Sequence, residues 1–157
     1  MRKATLLMLS TVVLALGGCA LHLEKTPPRP SVSTRTIGVN VFDGVIKVPD
    51  DPAIVFAANG AVRWVFGSEP AGYVFPDDGI VFMPVAKDAQ RPAAIGCTSY
   101  PDPAEVFRNC KPRAYGAEFQ CEKVGKPARG ACFKYNVKVV PIAGGKDITL
   151  DPWVMVE

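Results

Sequence analysis

The sequence predicts an all-β chain, an antiparallel β-sandwich with one short helix between Cys97 and Cys110. Three observations carry that prediction. Proline and glycine are frequent, 15 and 14 of 157 residues, and they cut the chain into apolar runs of roughly four to seven residues, too short for an amphipathic helix. Several runs alternate apolar and polar residues, the pattern of a half-buried strand. Turn signals stand between them at Asp43-Gly44, Asn59-Gly60, Asp77-Asp78-Gly79 and Gly144-Gly145. The length suits one domain with accessory segments.

The first residues stand apart from that fold. Arg2-Lys3 is a basic start, and residues 4–16 form an uncharged apolar stretch too short to span a membrane as a helix. Leu16-Gly17-Gly18-Cys19 follows, and this tetrad resembles the lipobox of bacterial lipoproteins. The resemblance implies a signal peptide over 1–18, cleavage before Cys19, and a lipidated Cys19 carrying a diacylglycerol thioether and an N-acyl chain. Several chains make a lasting anchor, since each buried CH₂ contributes about 0.8 kcal/mol. Ala20, where an Asp would retain such a protein, implies the outer membrane facing the periplasm in a Gram-negative cell.

Residues 19–36 read as a tether centred on Thr26-Pro27-Pro28-Arg29-Pro30-Ser31, with too little apolar content to order itself. Extended at about 3.1 Å per residue, some fifteen residues of it would hold a domain roughly 45 Å from the membrane. His22, the one histidine, falls within it.

The domain, 37–157, opens with Ile37, Val39 and Val41 on one face of a strand. Asp43-Gly44 turns it back into Val45-Ile46-Lys47-Val48, and Pro49 to Pro52 ends that hairpin. Residues 53–84 hold the densest strand signals and read as successive strands folded together at Asn59-Gly60 and Asp77-Gly79. Trp64 shares a face with Val62 and Phe66, which marks it as core rather than as a ring for stacking on sugar. Asp102-Pro103-Ala104-Glu105 is a helix start, with Asp as cap, and the helix is expected to end near Asn109. Residues 117–124 and 131–140 are two more strands, the second with Phe133, Tyr135, Val137 and Val139 inward and Lys134, Asn136 and Lys138 outward. Residues 148–156 supply the last strand, interrupted at Asp151-Pro152.

Apart from Cys19 there are Cys97, Cys110, Cys121 and Cys132, an even set in an exported chain, which implies two disulfides. Three connectivities are possible. A hairpin between 117–124 and 131–140 would oppose Cys121 to Cys132 and leave Cys97 for Cys110. The spacings contain no Cys-x-x-Cys pair, so no zinc site is expected.

No histidine lies in the domain, which removes a Ser-His-Asp set, a histidine metal cluster and a Cys-His nucleophile. No catalytic residue, cofactor or metal is therefore expected. Asp50-Asp51 and Asp77-Asp78 are the visible carboxylate pairs, and both sit in Pro/Gly turns where Asp serves the backbone. Lys123, Lys126, Arg129, Lys134 and Lys138 read as a solvated face, with a basic face for lipid phosphates or an acidic partner as the alternative. The chain is formally +3, and losing Arg2 and Lys3 with the signal leaves it close to neutral, with no footprint for nucleic acid.

The Asp43-Gly44 hairpin, Phe75-Pro76-Asp77-Asp78-Gly79-Ile80, Phe133-Lys134-Tyr135-Asn136-Val137 and Asp151-Pro152-Trp153-Val154 together resemble small exported proteobacterial proteins with a cupredoxin-like or immunoglobulin-like sandwich. That resemblance implies a fold and no activity. Copper ligation in true cupredoxins uses two histidines, a cysteine and usually a methionine, and the histidines are missing here.

The expected function is a non-enzymatic, lipid-anchored envelope protein that binds another envelope protein or a cell-wall component. The alternatives are an inhibitor of a host hydrolase such as lysozyme and a wall or glycan hydrolase using the turn carboxylates. Recognition is expected at the turns around Glu69 to Gly72 and Asp77 to Gly79 rather than on strands.

Overall fold

The computed structural model describes residues 33–67, 72–86 and 96–157. The signal, Cys19, His22, most of the tether, Glu69 and residues 87–95 lie outside them. Alternation in the first strand produces β1 (Thr34–Phe42), which starts within the stretch read as tether. Asp43 and Gly44 both adopt positive φ, 49° and 72°, and close an antiparallel hairpin onto β2 (Val45–Lys47).

Beyond that hairpin the chain departs from the expected succession. β3 (Ala53–Val55) and β4 (Ala61–Phe66) flank Asn59-Gly60 yet lie in different sheets. β4 pairs in parallel with β1, and β3 in parallel with the last strand, β11 (Trp153–Val156). The sandwich is therefore mixed rather than purely antiparallel, because the chain visits the other sheet between β1 and β4. Asn59-Gly60 is a crossover, held by the buried Asn59 side chain. It accepts from the Phe56 N–H at 2.9 Å and donates to Ser33 Oγ at 2.9 Å.

β5 (Tyr73–Val74) and β6 (Ile80–Met83) likewise do not pair with each other across Asp77–Gly79; both run antiparallel to the long β9 (Cys132–Pro141). β9 organises its sheet. β6 lies along one edge, while β10 (Ile148–Leu150) and β11 share the other, so Lys134 and Val137 have neighbours on both sides. Its alternation is as expected, with Phe133, Tyr135, Val137 and Val139 buried. The opposing sheet has the order β2-β1-β4-β8-β7, with β7 at Phe107–Arg113 and β8 at Glu118–Lys123.

Aromatic rings join the sheets. Trp64, 0% exposed, meets Tyr135 at 5.5 Å and Phe82 at 6.0 Å between ring centres, and Phe82 stacks on Phe107 at 4.0 Å. The Trp64 indole N–H and the Tyr135 hydroxyl lie near each other outside hydrogen-bonding geometry. Burial pushes the Tyr135 phenol above its ordinary range, the indole offsetting part of the rise and Asp51 and Asp50 adding to it.

The expected helix shrinks to one 3-10 turn, Pro103–Glu105, capped as predicted by Asp102, whose carboxylate accepts from the Ala104 N–H at 2.9 Å. It stops because Val106 and Phe107 drop into the core, and Phe107 opens β7. A bulge separates Arg108 from Lys111, with Asn109 at φ 51°.

The disulfides join Cys97 to Cys132 and Cys110 to Cys121. This corrects the pairing favoured from sequence. β8 and β9 form no hairpin, because β8 sits between β4 and β7 while β9 centres the other sheet. Cys110 instead faces Cys121 across the β7–β8 ladder, and the segment holding Cys97 lies beside the start of β9, with the Cys132 N–H donating to Ser99 O at 2.9 Å.

Strand directions give the sandwich two ends. Ser33, Gly60, Lys123 and Glu157 gather at one: Gly60 N–H donates to Ser33 O at 2.9 Å, Ala57 N–H to Glu157 O at 2.8 Å, and Lys123 N–H to Gly60 O at 2.9 Å. The Asp43-Gly44 turn, Gly72, Phe75 and the β7–β8 turn lie at the other, where Ile142 N–H donates to Gly72 O at 2.7 Å and Phe75 N–H to Gly116 O at 2.8 Å. Between them β1 runs roughly 30 Å.

Candidate recognition surface

The β7–β8 connection stands out locally. Ala114, Tyr115 and Gly116 have φ of 49°, 57° and 85°, so three successive residues turn left-handed. That conformation costs about 1–2 kcal/mol for each residue carrying a Cβ. Surrounding contacts impose it. Ala117 N–H donates to Ala114 O at 3.1 Å, and the Gly116 carbonyl is held by the Phe75 N–H. Gly116 packs so close that a Cβ there would stand 2.9 Å from the Val74 Cβ.

The result is that Tyr115 projects fully into solvent, at 105% of its reference exposure. Beside it is a cleft of about 500 Å³ lined by Phe75, Pro76, Asp77, Pro112 and Arg113. Its floor is rigid: Phe75 stacks on Phe66 at 4.5 Å and meets Phe119 edge-on at 6.2 Å. Gly79 closes the adjoining turn where a Cβ would stand 2.9 Å from Pro76 O. An exposed tyrosine on a left-handed turn, beside prolines, one cation and one carboxylate, offers apolar contact area with a polar tip, the chemistry of a candidate recognition anchor.

The structure disperses the charged groups singled out from sequence. Lys134 lies 3.6 Å from Asp151, and Lys138 lies 3.0 Å from Asp78 and 3.1 Å from Asp147. Hydrogen bonds to Asp78 and then Asp147 raise the Lys138 pKa. Lys123 turns inward and donates to Ala57 O at 2.9 Å, its pKa lowered by burial and then by Lys126. These lysines therefore form no common basic face. Among the carboxylates, Asp50 pairs with Arg35 at 3.0 Å, and Asp51 accepts from the Trp153 N–H at 2.9 Å. Asp77 alone of the four lines the cleft, at one of the turns expected to carry recognition.

Sequence reading passed over Arg108, Lys111, Arg113 and Tyr115. The cations lie on an edge strand without alternation. The left-handed turn has no signature beyond Gly116, because Ala and Tyr ordinarily avoid positive φ. Among the described residues no group of three or more His, Cys, Asp or Glu side chains could hold a metal ion, and no helix is long and apolar enough to cross a membrane. No protein-family model and no curated protein matches the chain.

Proposed function

We propose that the chain is a non-enzymatic binding protein of the cell envelope, anchored through acylated Cys19 at the outer membrane facing the periplasm, and that it offers the Tyr115 end of its sandwich to another envelope protein. The position of Tyr115 carries this reading. An aromatic ring held in solvent by an unfavourable backbone conformation is a cost to the fold, and such strain gathers where function needs it. It sits at the end remote from Ser33, and the chain preceding Ser33 leads back to Cys19. The lipobox-like Leu16-Gly17-Gly18-Cys19 supports the anchor, and the structural engagement of Asp50, Asp51 and Asp78 supports binding over hydrolysis.

The test is in-cell photocrosslinking. A photoreactive amino acid at position 115 is expected to give one discrete adduct that disappears in a Cys19→Ser background. The same group at Val81, exposed on the other sheet, is expected to give none. No adduct at 115, or equal adducts at both positions, would count against the proposal.

A further inference from the structure

We infer that the partner segment received at this surface is acidic and extended, and lies along the outer face of β7 to end on Tyr115. The inference rests on the reading above and adds the chemistry of the partner. Strand registers arrange the outer face of the five-stranded sheet in rows: Thr36, Arg63, Gln120 and Lys111 form one, and Gly38, Val65, Glu118 and Arg113 the next. Among the described residues Lys47, Arg63, Arg108, Lys111 and Arg113 share this face with Glu118 and Glu122 as its carboxylates, Glu122 opposite Arg108 and Glu118 opposite Arg113 in the ladder.

Both carboxylates have other partners. Glu118 lies 3.6 Å from Arg63, and Glu122 accepts from the Asn109 amide at 2.7 Å. Among the described residues Arg108, Lys111 and Arg113 therefore make no ion pair, although all are exposed. Five cations against two carboxylates leave this face net positive, and an anionic partner complements that.

Geometry narrows the partner further. Lys111 and Arg113 are alternate residues on one face, about 6.6 Å apart along the strand. An extended chain repeats its own same-side residues at that interval, so acidic side chains at alternate positions meet both cations in step. Such a segment does not add to the sheet as another strand. Pro112 has no N–H to donate, and the bulge between Arg108 and Lys111 breaks the edge. Contact is made by side chains across the face, and the cleft beside Tyr115 takes an apolar residue at the end of the segment.

The test uses the full chain in non-ionic detergent with a fluorescent peptide of alternating Glu and Thr ending in Leu, followed by anisotropy. Binding is expected at low salt and should fall severalfold at high salt, where exposed charges are screened beyond about 3 Å. Lys111→Glu/Arg113→Glu is expected to weaken it about tenfold or more. Lys134→Glu/Lys138→Glu, in the neutralised sheet, should leave it within about twofold. Circular dichroism establishes that both variants are folded.

Equal loss in both double variants, or none in either, would overturn the inference. So would tighter binding to phosphatidylglycerol micelles than to the peptide, abolished by the β7 reversal, which would identify a lipid headgroup instead. If the photocrosslink at 115 persists in Lys111→Glu/Arg113→Glu, the acidic partner is wrong and the binding function stands. If the peptide binds as expected and no crosslink forms in cells, the reverse holds.

Discussion

On the outer face of the six-stranded sheet Lys134 and Lys138 lie within ion-pair distance of Asp151, Asp78 and Asp147. On the five-stranded sheet Arg108, Lys111 and Arg113 face outward and, among the described residues, none lies within ion-pair distance of a carboxylate, although Glu122 and Glu118 stand opposite Arg108 and Arg113 in the ladder. The first sheet is built around one regular strand with its charges settled internally. The second ends in a bulged edge strand stapled by Cys110–Cys121 and followed by a left-handed turn. The contrast separates scaffold from candidate surface: regular pattern and local neutrality where stability is made, irregular backbone and excess positive charge where we propose that a partner is met.

The largest test of that division strikes the layer both sheets share. Trp64→Ala should cost about 3–5 kcal/mol in urea unfolding, since a fully buried indole leaves a cavity between the sheets. Loss of under about 1 kcal/mol would mean the sheets do not depend on this cluster.

The two staples come next. Opening Cys97–Cys132, which closes a separation of 35 residues, should cost about 4 kcal/mol as paired serine variants, against about 3 kcal/mol for Cys110–Cys121, which closes 11. Non-reducing peptide mapping checks the pairing itself: peptides linking Cys121 to Cys132 would refute the separation of β8 and β9 into different sheets. The Cys110–Cys121 variant should also lower the Tyr115 crosslink yield more than the other, because that bridge sits on the strand leading to the turn.

Smaller effects sharpen the account of the turn. Gly116→Ala should destabilise by about 2 kcal/mol, from its positive φ together with the crowding against Val74. Tyr115→Gly should stabilise by up to about 1 kcal/mol by relieving strain while abolishing recognition. A Tyr115→Gly variant that lost stability would show that the ring serves the fold.

The smallest effect concerns Tyr135. Among the described residues its hydroxyl has no hydrogen-bond partner in good geometry, the Trp64 indole N–H being its near neighbour, so Tyr135→Phe should change stability at neutral pH by less than about 1 kcal/mol. The folded state holds the phenol proton more tightly than the unfolded chain, whose tyrosine titrates near 10.0. Stability from this group is therefore complete below about pH 10 and lost as pH rises above it. Tyr135→Phe should flatten that alkaline decline in urea midpoints measured across the range, and an unchanged decline would assign it to other groups.

Much of the scaffold is legible residue by residue. The alternation of Phe133, Tyr135, Val137 and Val139 puts those side chains in the core, Asp43-Gly44 makes its hairpin, and Asp102 caps the turn that follows it. The recognition surface is less so. Asp77 falls at an expected turn, but FRNCKPR reads as no strand at all, because the bulge between Arg108 and Lys111 breaks the alternation and the half-buried positions after it are Cys110 and Pro112 rather than large apolar residues. Tyr115 gives no sign of left-handed backbone, and the long-range contacts of its turn, from the Phe75 N–H and Val74, are made to Gly116 by residues distant in the chain.

By itself the sequence determined an all-β class, the strands with clear period, the burial of Trp64 and the involvement of four cysteines in two bridges. These depend on patterns within a few residues, which local sterics and the burial of apolar side chains translate directly. Only the tertiary structure decided which sheet each strand joins, and with it the parallel β1–β4 and β3–β11 pairs, the true cysteine partners, and the meeting of the Tyr115 turn with Phe75 to Asp77. Two sheets with similar apolar inner faces offer a strand equivalent places, and the choice is made by long-range packing, which no local run of residues records.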